Sequence, residues 1–373
     1  MNNRLFTPLK IGPNLLDHRV VMAPLTRMRA AQPGDIPRPL NATYYAQRAS
    51  RGGLIIAEAS QVSPVAQGVP ASPGIYSREQ VEGWRQVTEA VHKEGGVIYL
   101  QLWHVGRVSH SSLQPGQSLP VAPSAIPAEG QAITANFEFS PFEIPRELQI
   151  SEIVDIVGAF SHAARNAHDA GFDGVEIHGA NGYLAEQFLQ SRSNHRSDVY
   201  GGSIANRSRF LLEVTDAVVG VYGRDRVGVR LSPYGRAYGS GETEPIPLYR
   251  HVIHELAKRE IGYLHLIEPR SSGSGRADVD HKDVPSAAEL FRRDWPGVLI
   301  AAGNFSPETA AQAVDRGIAD AIAFGRHFIA NPDLPERLRS QSPLNPYNRA
   351  TFYGGNEEGY TDYPALPFSD RPT

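Results

Sequence analysis

Eight short stretches rich in valine, isoleucine and leucine recur along the chain, with helical patterns between them. They fall at residues 20–24, 54–59, 97–102, 174–178, 227–231, 263–267, 298–301 and 321–324. None shows the strict polar alternation of a half-exposed strand, so each reads as a parallel strand covered on both faces. The intervening segments carry their own punctuation. Ser77 to Gln80 forms a capping box for a helix running toward Lys93, with Gly95 beyond its end. Residues 151–170 place Ile153, Ile156, Val157, Phe160 and Ala164 on one stripe, and Gly171 stops them. Ser306 followed by Pro307 opens a third helix that Gly317 closes. Strand–helix alternation repeated eight times leaves a (β/α)8 barrel or a long doubly wound sheet. No GxGxxG follows the first strand and no Walker-A loop occurs, so the α/β (TIM) barrel is the expected fold.

A length of 373 residues averages two domains, but α/β barrels hold this much chain in one unit; residues 1–373 are read as a single domain. Two departures from the βα repeat stand out. Residues 6–19 read as an N-terminal hairpin, turning at Gly12, Pro13 and Asn14, that plugs the barrel floor. Residues 104–149, after the third strand, are rich in Pro, Ser and Gly; a connection that long is usually functional, often a capping lid with a small hairpin.

Zero cysteines exclude disulfides, thiolate catalysis, Fe–S clusters and Cys-ligated zinc. No HExxH or paired-carboxylate metal motif occurs, so no metal is expected and any redox chemistry needs an organic cofactor. The net charge of -4 gives no electrostatic reason to expect nucleic acid or an anionic membrane as partner. No apolar run approaches the ~20 residues of a membrane span, and the first residues lack a secretory h-region. A cytoplasmic protein, monomeric or weakly homo-oligomeric, is the expectation.

Catalytic groups of an α/β barrel sit just past the C-terminal ends of its strands, and unusual polar residues fall there. The seventh and eighth strands end in Gly303-Asn304 and Gly325-Arg326. These two loops commonly hold phosphate, with glycines admitting the backbone, a guanidinium adding charge and the Ser306 helix N-terminus nearby. The plainer alternative is two tight turns and a surface ion pair. Arg230 and Gln101 interrupt strands buried on both faces, where an unpaired charge is costly. A ring with a polar edge across the barrel mouth, such as an isoalloxazine, would satisfy both; pairing of Arg230 with Glu176 is the other solution. His178, Asn181 and Tyr183 follow the fourth strand. Two donors three residues apart can grip one carbonyl or nitro oxygen, and Tyr183, with a reference pKa of about 10, keeps a proton to give. A lone histidine at a strand end would more simply be structural. Trp103, Tyr353 and Phe305 are candidate pocket walls; His104 and Arg107 receive no role.

The motifs MAPLTR (22–27), QLWHVGR (101–107), HGANGYL (178–184), AAGNF (301–305), FGR (324–326) and TFYGG (351–355) together resemble the old yellow enzyme family across essentially the whole chain. The likeness extends to the bacterial N-ethylmaleimide and nitrate-ester reductases and to the plant 12-oxophytodienoate reductases. The resemblance implies non-covalent FMN on a (β/α)8 barrel, reduced by NADPH or NADH. An α,β-unsaturated carbonyl, nitroalkene or maleimide then takes the nicotinamide's place. It implies Pro24, Leu25 and Thr26 along the flavin, with Ala57, Gln101 and Arg230 contacting the ring. Gly303, Asn304, Gly325 and Arg326 would hold the phosphate, His178 and Asn181 the substrate oxygen, and Tyr183 the proton. Many bacterial relatives carry His where this chain has Asn181, which bears on nitro compounds. The branch with a flavin-tuning Cys near the first strand is excluded by Thr26. A flavin-storage protein and a flavin-free barrel lyase using His178 and Tyr183 are the alternatives.

Overall fold

A computed structural model describes residues 4–269 and 284–367. A hairpin of β1 (Leu9–Ile11) and β2 (Asn14–Leu16) precedes the first barrel strand, β3 (Val20–Met22). Next come α1 (Pro39–Arg48), β4 (Leu54–Gln61), α2 (Arg78–Lys93) and β5 (Val97–Trp103). An insertion follows, with β6 (Val121–Ala122), β7 (Gln131–Ile133), β8 (Phe139–Pro141) and β9 (Arg146–Glu147). The alternation resumes with α3 (Ile150–Asp169), β10 (Gly174–Gly179), α4 (Leu184–Leu189), α5 (Ile204–Tyr222), β11 (Val227–Leu231), α6 (Pro245–Lys258) and β12 (Tyr263–Ile267). It ends with α7 (Ala287–Phe291), β13 (Val298–Ala302), α8 (Pro307–Asp315), β14 (Ala321–Phe324), α9 (Arg326–Ala330) and α10 (Leu334–Ser340).

The barrel closes in the order β10-β11-β12-β13-β14-β3-β4-β5, and β5 pairs back onto β10. Every pairing is parallel. This is the (β/α)8 barrel expected from the eight apolar stretches. The first strand is shorter than expected, because Ala23 and Pro24 have already left it. Helix boundaries follow the sequence signals closely: Ser77 caps α2 by accepting the Gln80 N–H, and Ser306 caps α8 by accepting that of Thr309.

Two apolar layers hold the barrel. Inside, Val21, Leu54, Ile56, Tyr99, Tyr263, Ile300 and Ala321 pack with Ile11 and Leu16 of the hairpin. Each of those two hairpin side chains contributes ~1.5–3 kcal/mol by burial. Outside, Ile55, Ala57, Leu100, Ile177 and Val229 meet the helices. The insertion folds as anticipated around a small hairpin: β7 and β8 pair antiparallel with Ile133 opposite Phe139. Its base is closed by β6 pairing with β9.

Candidate active site

A cavity of about 320 Å³ opens where the strands end, and its size lies within the usual range for ligand sites. Ala23, Pro24, Leu25 and Thr26 line it as the chain leaves β3, and Gln101 and Trp103 reach it from β5. His178 enters from the end of β10, Asn181 and Tyr183 from the β10–α4 connection, Arg230 from β11, and Gly303, Asn304, Phe305, Gly325 and Arg326 from just past the last two strands. Tyr353, itself exposed, stands at the mouth. Thus every site residue read from the sequence lies here except Ala57. That side chain faces the helices, and Ala59 lines the cavity instead. Regular alternation with Ile55 turns Ala57 outward, and a bulge after it brings Ala59 inward: two residues of β4, Glu58 and Ala59, oppose the single Gln101 of β5. The extra residue inverts the alternation of faces, which periodicity alone cannot reveal.

Charge is organised beneath the cavity. Gln101 Nε2 donates to Glu176 Oε1 at 2.7 Å, and the Tyr263 hydroxyl donates to Oε2 at 3.1 Å. His265 Nδ1 lies 2.8 Å from the same oxygen. Burial pushes the Glu176 carboxyl up, but His265, Arg230 and Gln101 together hold it below the usual carboxylate range. Glu176 and Arg230 feel each other's charge, so part of the plainer solution for Arg230 is realised. Its Nε nevertheless has no hydrogen-bond partner. A buried donor without a partner is costly unless a ligand supplies an acceptor.

At the other end, Gly303 has φ +124° and a side chain there would meet Glu268 Cβ at 3.0 Å. Only glycine suits that conformation. Arg326 Nη2 donates to Asn304 Oδ1 at 2.8 Å and Nη1 to the Tyr347 hydroxyl at 3.3 Å, tying the two loops together. Among the described residues no carboxylate lines the cavity, whereas Arg230 and Arg326 do. The Ser306 helix contributes less than expected: Ser306 is absent from the lining and its first turn is capped internally, with Glu308 on the Ser306 hydroxyl. The turn that opens α9, at Gly325, Arg326 and His327, lines the cavity instead.

The roof is aromatic. Tyr183 stands edge-on to both Trp103 and His178, each ring centroid 4.9 Å away. Burial, the hydrogen bond with Tyr238 and the nearby Tyr353 push its phenol well above its ordinary range. Burial, Arg230 and His265 push His178 well below its own, so its imidazole is neutral at physiological pH. His178 and Asn181 reach one cavity through a left-handed turn at Asn181, φ +58°, rather than through helical spacing; α4 begins only at Leu184.

Several contributors carried no local sequence signal. Ile133 and Phe139 come from the insertion hairpin, and Tyr238 from the loop after β11. Phe352 joins the expected Tyr353 from a C-terminal segment whose carbonyls are gripped by buried arginines. Arg27 donates to Phe352 O at 2.8 Å and Gly359 O at 2.9 Å, and Arg29 to Thr351 O at 3.0 Å and Glu358 O at 3.1 Å. His104 and Arg107 are structural: His104 Nδ1 accepts the Gly106 N–H, and Arg107 donates to Ile126 O and Tyr238 O.

A parallel barrel with a cationic floor, a glycine-and-arginine end on its last two strands and a neutral hydrogen-bonding roof defines a barrel oxidoreductase with a phosphate-bearing cofactor. The chain belongs to the NADH:flavin oxidoreductase / NADH oxidase family, whose profile matches residues 4–345. It is an FMN-dependent ene-reductase of the old yellow enzyme group, with a nicotinamide as reductant. It is 47% identical over 364 residues to 12-oxophytodienoate reductase 2 of Arabidopsis thaliana, covering 97% of this chain and 96% of that protein. The structure of morphinone reductase in complex with tetrahydroNAD superposes with a TM-score of 0.91 at 47% identity, covering 99% of each chain. The old yellow enzyme homologue from Zymomonas mobilis gives 0.91 at 40% identity, covering 97% of this chain and 99% of that one.

Proposed function

We propose that residues 1–373 act as one FMN-binding unit that reduces the C=C bond of α,β-unsaturated carbonyls, nitroalkenes or maleimides, with NADPH or NADH as reductant. The residues fit the cofactor. The unpartnered Arg230 Nε and the Gln101 amide suit the polar edge of its ring. Because Gln101 Nε2 is committed to Glu176, its carbonyl oxygen is left to accept from a ring N–H. Pro24, Leu25, Thr26 and Ala59, which line the cavity, would flank the ring, and Gly303, Asn304, Gly325 and Arg326 would hold the phosphate. The chemistry FMN supplies when bound is hydride transfer, from the nicotinamide to the β-carbon of the alkene.

The chain's own residues supply the rest. A neutral His178 donates one hydrogen bond and the Asn181 amide another, so together they hold the substrate oxygen and favour the charge that grows on it. Arg230 keeps a cation beneath the site, where negative charge collects in the reduced state. Tyr183 keeps its proton at neutral pH and delivers it to the α-carbon. Trp103, Ile133, Phe139 and Tyr353 wall the substrate from water. The carrying observation is the buried Tyr183 set edge-on to a neutral His178 within one cavity. In the test, anaerobic NADPH bleaches the purified yellow protein and cyclohex-2-enone restores the colour. Bleaching without recovery would favour a flavin-binding or storage protein, and a colourless protein the flavin-free lyase. Activated alkenes and NAD(P)H are the partners of this reading, and the net charge of -4 supplies no electrostatic pull on nucleic acid. A cytoplasmic setting and a monomer or weak homo-oligomer complete the reading.

A further inference from the structure

Asn181 and Gly182 are consecutive residues in the left-handed region, with φ +58° and +77°. A side chain pays for that conformation where glycine does not, and here the neighbouring groups fix it. Here the surroundings converge on one buried carboxylate behind the turn. The Asn181 N–H donates to Ser232 Oγ at 2.9 Å, and the Ser232 hydroxyl donates to Glu186 Oε1 at 2.5 Å. The Gly182 N–H donates to Glu186 Oε2 at 2.6 Å. Tyr249 O–H donates to Oε1 at 2.7 Å while itself accepting from Gln190 Nε2 at 3.1 Å. Glu186 and Ser232 are both buried and neither lines the cavity.

The hydrogens in this chain run one way. Ser232 has a single hydrogen; giving it to Glu186 leaves a lone pair for the Asn181 N–H. Only an acceptor at position 186 keeps that polarity, because an added hydrogen must face the Gly182 N–H, Ser232 or Tyr249. We infer that Glu186, acting through Ser232, is a positioning residue for substrate binding: it holds the left-handed turn that aims Asn181 into the cavity. This rests on the reading of Asn181 as a grip on the substrate oxygen.

The arrangement carries a pH signature. Burial pushes the Glu186 carboxyl up to about 7, against the bonds from Ser232, Gly182 and Tyr249. The other ionisable groups around it do not compete in that range. The Tyr249 phenol is held protonated by burial and by Glu186 itself, and Glu242 beyond it is paired with Arg207 at 2.6 Å. On the cavity side, His178 is neutral and Arg230 faces Glu176. As pH falls through about 7, Glu186 takes a proton, the chain loses its acceptor and the turn loosens.

The test is stopped-flow binding of cyclohex-2-enone, which has no titrating group, to reduced holoenzyme of wild type, E186Q, S232A, N181A and N181A/E186Q. E186Q and S232A are expected to weaken enone binding about tenfold, equivalent to ~1.4 kcal/mol. The limiting rate should stay within about threefold and the flavin spectrum unchanged. The double variant should bind no more weakly than N181A alone, since both act through one contact. Wild-type affinity should fall below about pH 7, a step missing in E186Q. Normal enone affinity in E186Q and S232A beside a weakened N181A would overturn the positioning role alone, as would additive losses in the double variant. Normal affinity in N181A would overturn the oxygen grip, and this inference with it. If E186Q fails to retain flavin, S232A, which removes only the relay hydroxyl, decides.

Discussion

Tyr183 and Glu58 show burial holding the proton on two acids of this molecule, one in the cavity and one beside it. Burial and Tyr238 keep the Tyr183 phenol protonated, so Tyr183→Phe should slow alkene reduction by ~10²-fold or more while flavin reduction by NADPH changes far less. Equal losses in the two half-reactions would remove Tyr183 as proton donor. His178→Ala with Asn181→Ala should abolish the charge-transfer band that a phenolic ligand gives with the flavin, and a surviving band would leave the oxygen unaccounted for. Glu58 accepts the Arg27 N–H at 3.1 Å and the Tyr45 hydroxyl at 3.2 Å, yet burial raises its carboxyl from 4.5 to about 7. A pKa raised on folding means that the native state binds the extra proton between those values. Its contribution is therefore complete below pH 4.5 and lost as pH rises through about 7. The bound on that loss is ~3.5 kcal/mol, at ~1.4 kcal/mol per pH unit. Glu58→Gln should accordingly melt closer to, or above, wild type at pH 8 than at pH 5; a difference independent of pH would contradict the raised value. Residues such as Arg230 and Gln101 were legible because polarity inside an apolar strand needs a reason. Arg27 and Arg29 sit in or beside an equally visible motif, but their partners are carbonyls about 320–330 residues away, and nothing local announces them.

At the scale of elements, the strands and helix ends were readable because each signal is short-range: valine-rich runs for burial on both faces, Ser77 and Ser306 for caps. The bulge in β4 was not, since an extra residue shows only against its neighbour β5. The same holds for the insertion. Its length announced a lid, but that Ile133 and Phe139 would reach the cavity depends on how β7 and β8 hang over the barrel. Shortening both to alanine removes apolar wall from the substrate side and leaves the flavin side untouched. KM for a bulky enone should rise several-fold with FMN content unchanged, at ~0.8 kcal/mol per methylene no longer covered. Loss of FMN from that variant would mean that the hairpin supports the cofactor instead.

For the whole molecule, cofactor and fold should be thermodynamically linked, because a ligand that binds the folded barrel and not the unfolded chain stabilises it. At a free concentration one hundred times Kd, binding adds ~2.7 kcal/mol, so the flavin-free protein should melt a few degrees lower and recover on adding FMN. Arg326→Ala, by loosening the tie between the last two loops, should purify depleted in FMN and show a smaller rise at equal FMN; full occupancy would refute the phosphate assignment. One further property of the architecture concerns its future rather than its present chemistry. The short pairing of β6 with β9 brings the two ends of the lid's tip side by side before the chain wanders over the cavity. A segment with adjacent ends is a cassette: a longer, shorter or unrelated tip can be spliced in without moving a barrel strand. Grafting tips at that junction is a direct route to new substrate preferences on an unaltered catalytic frame.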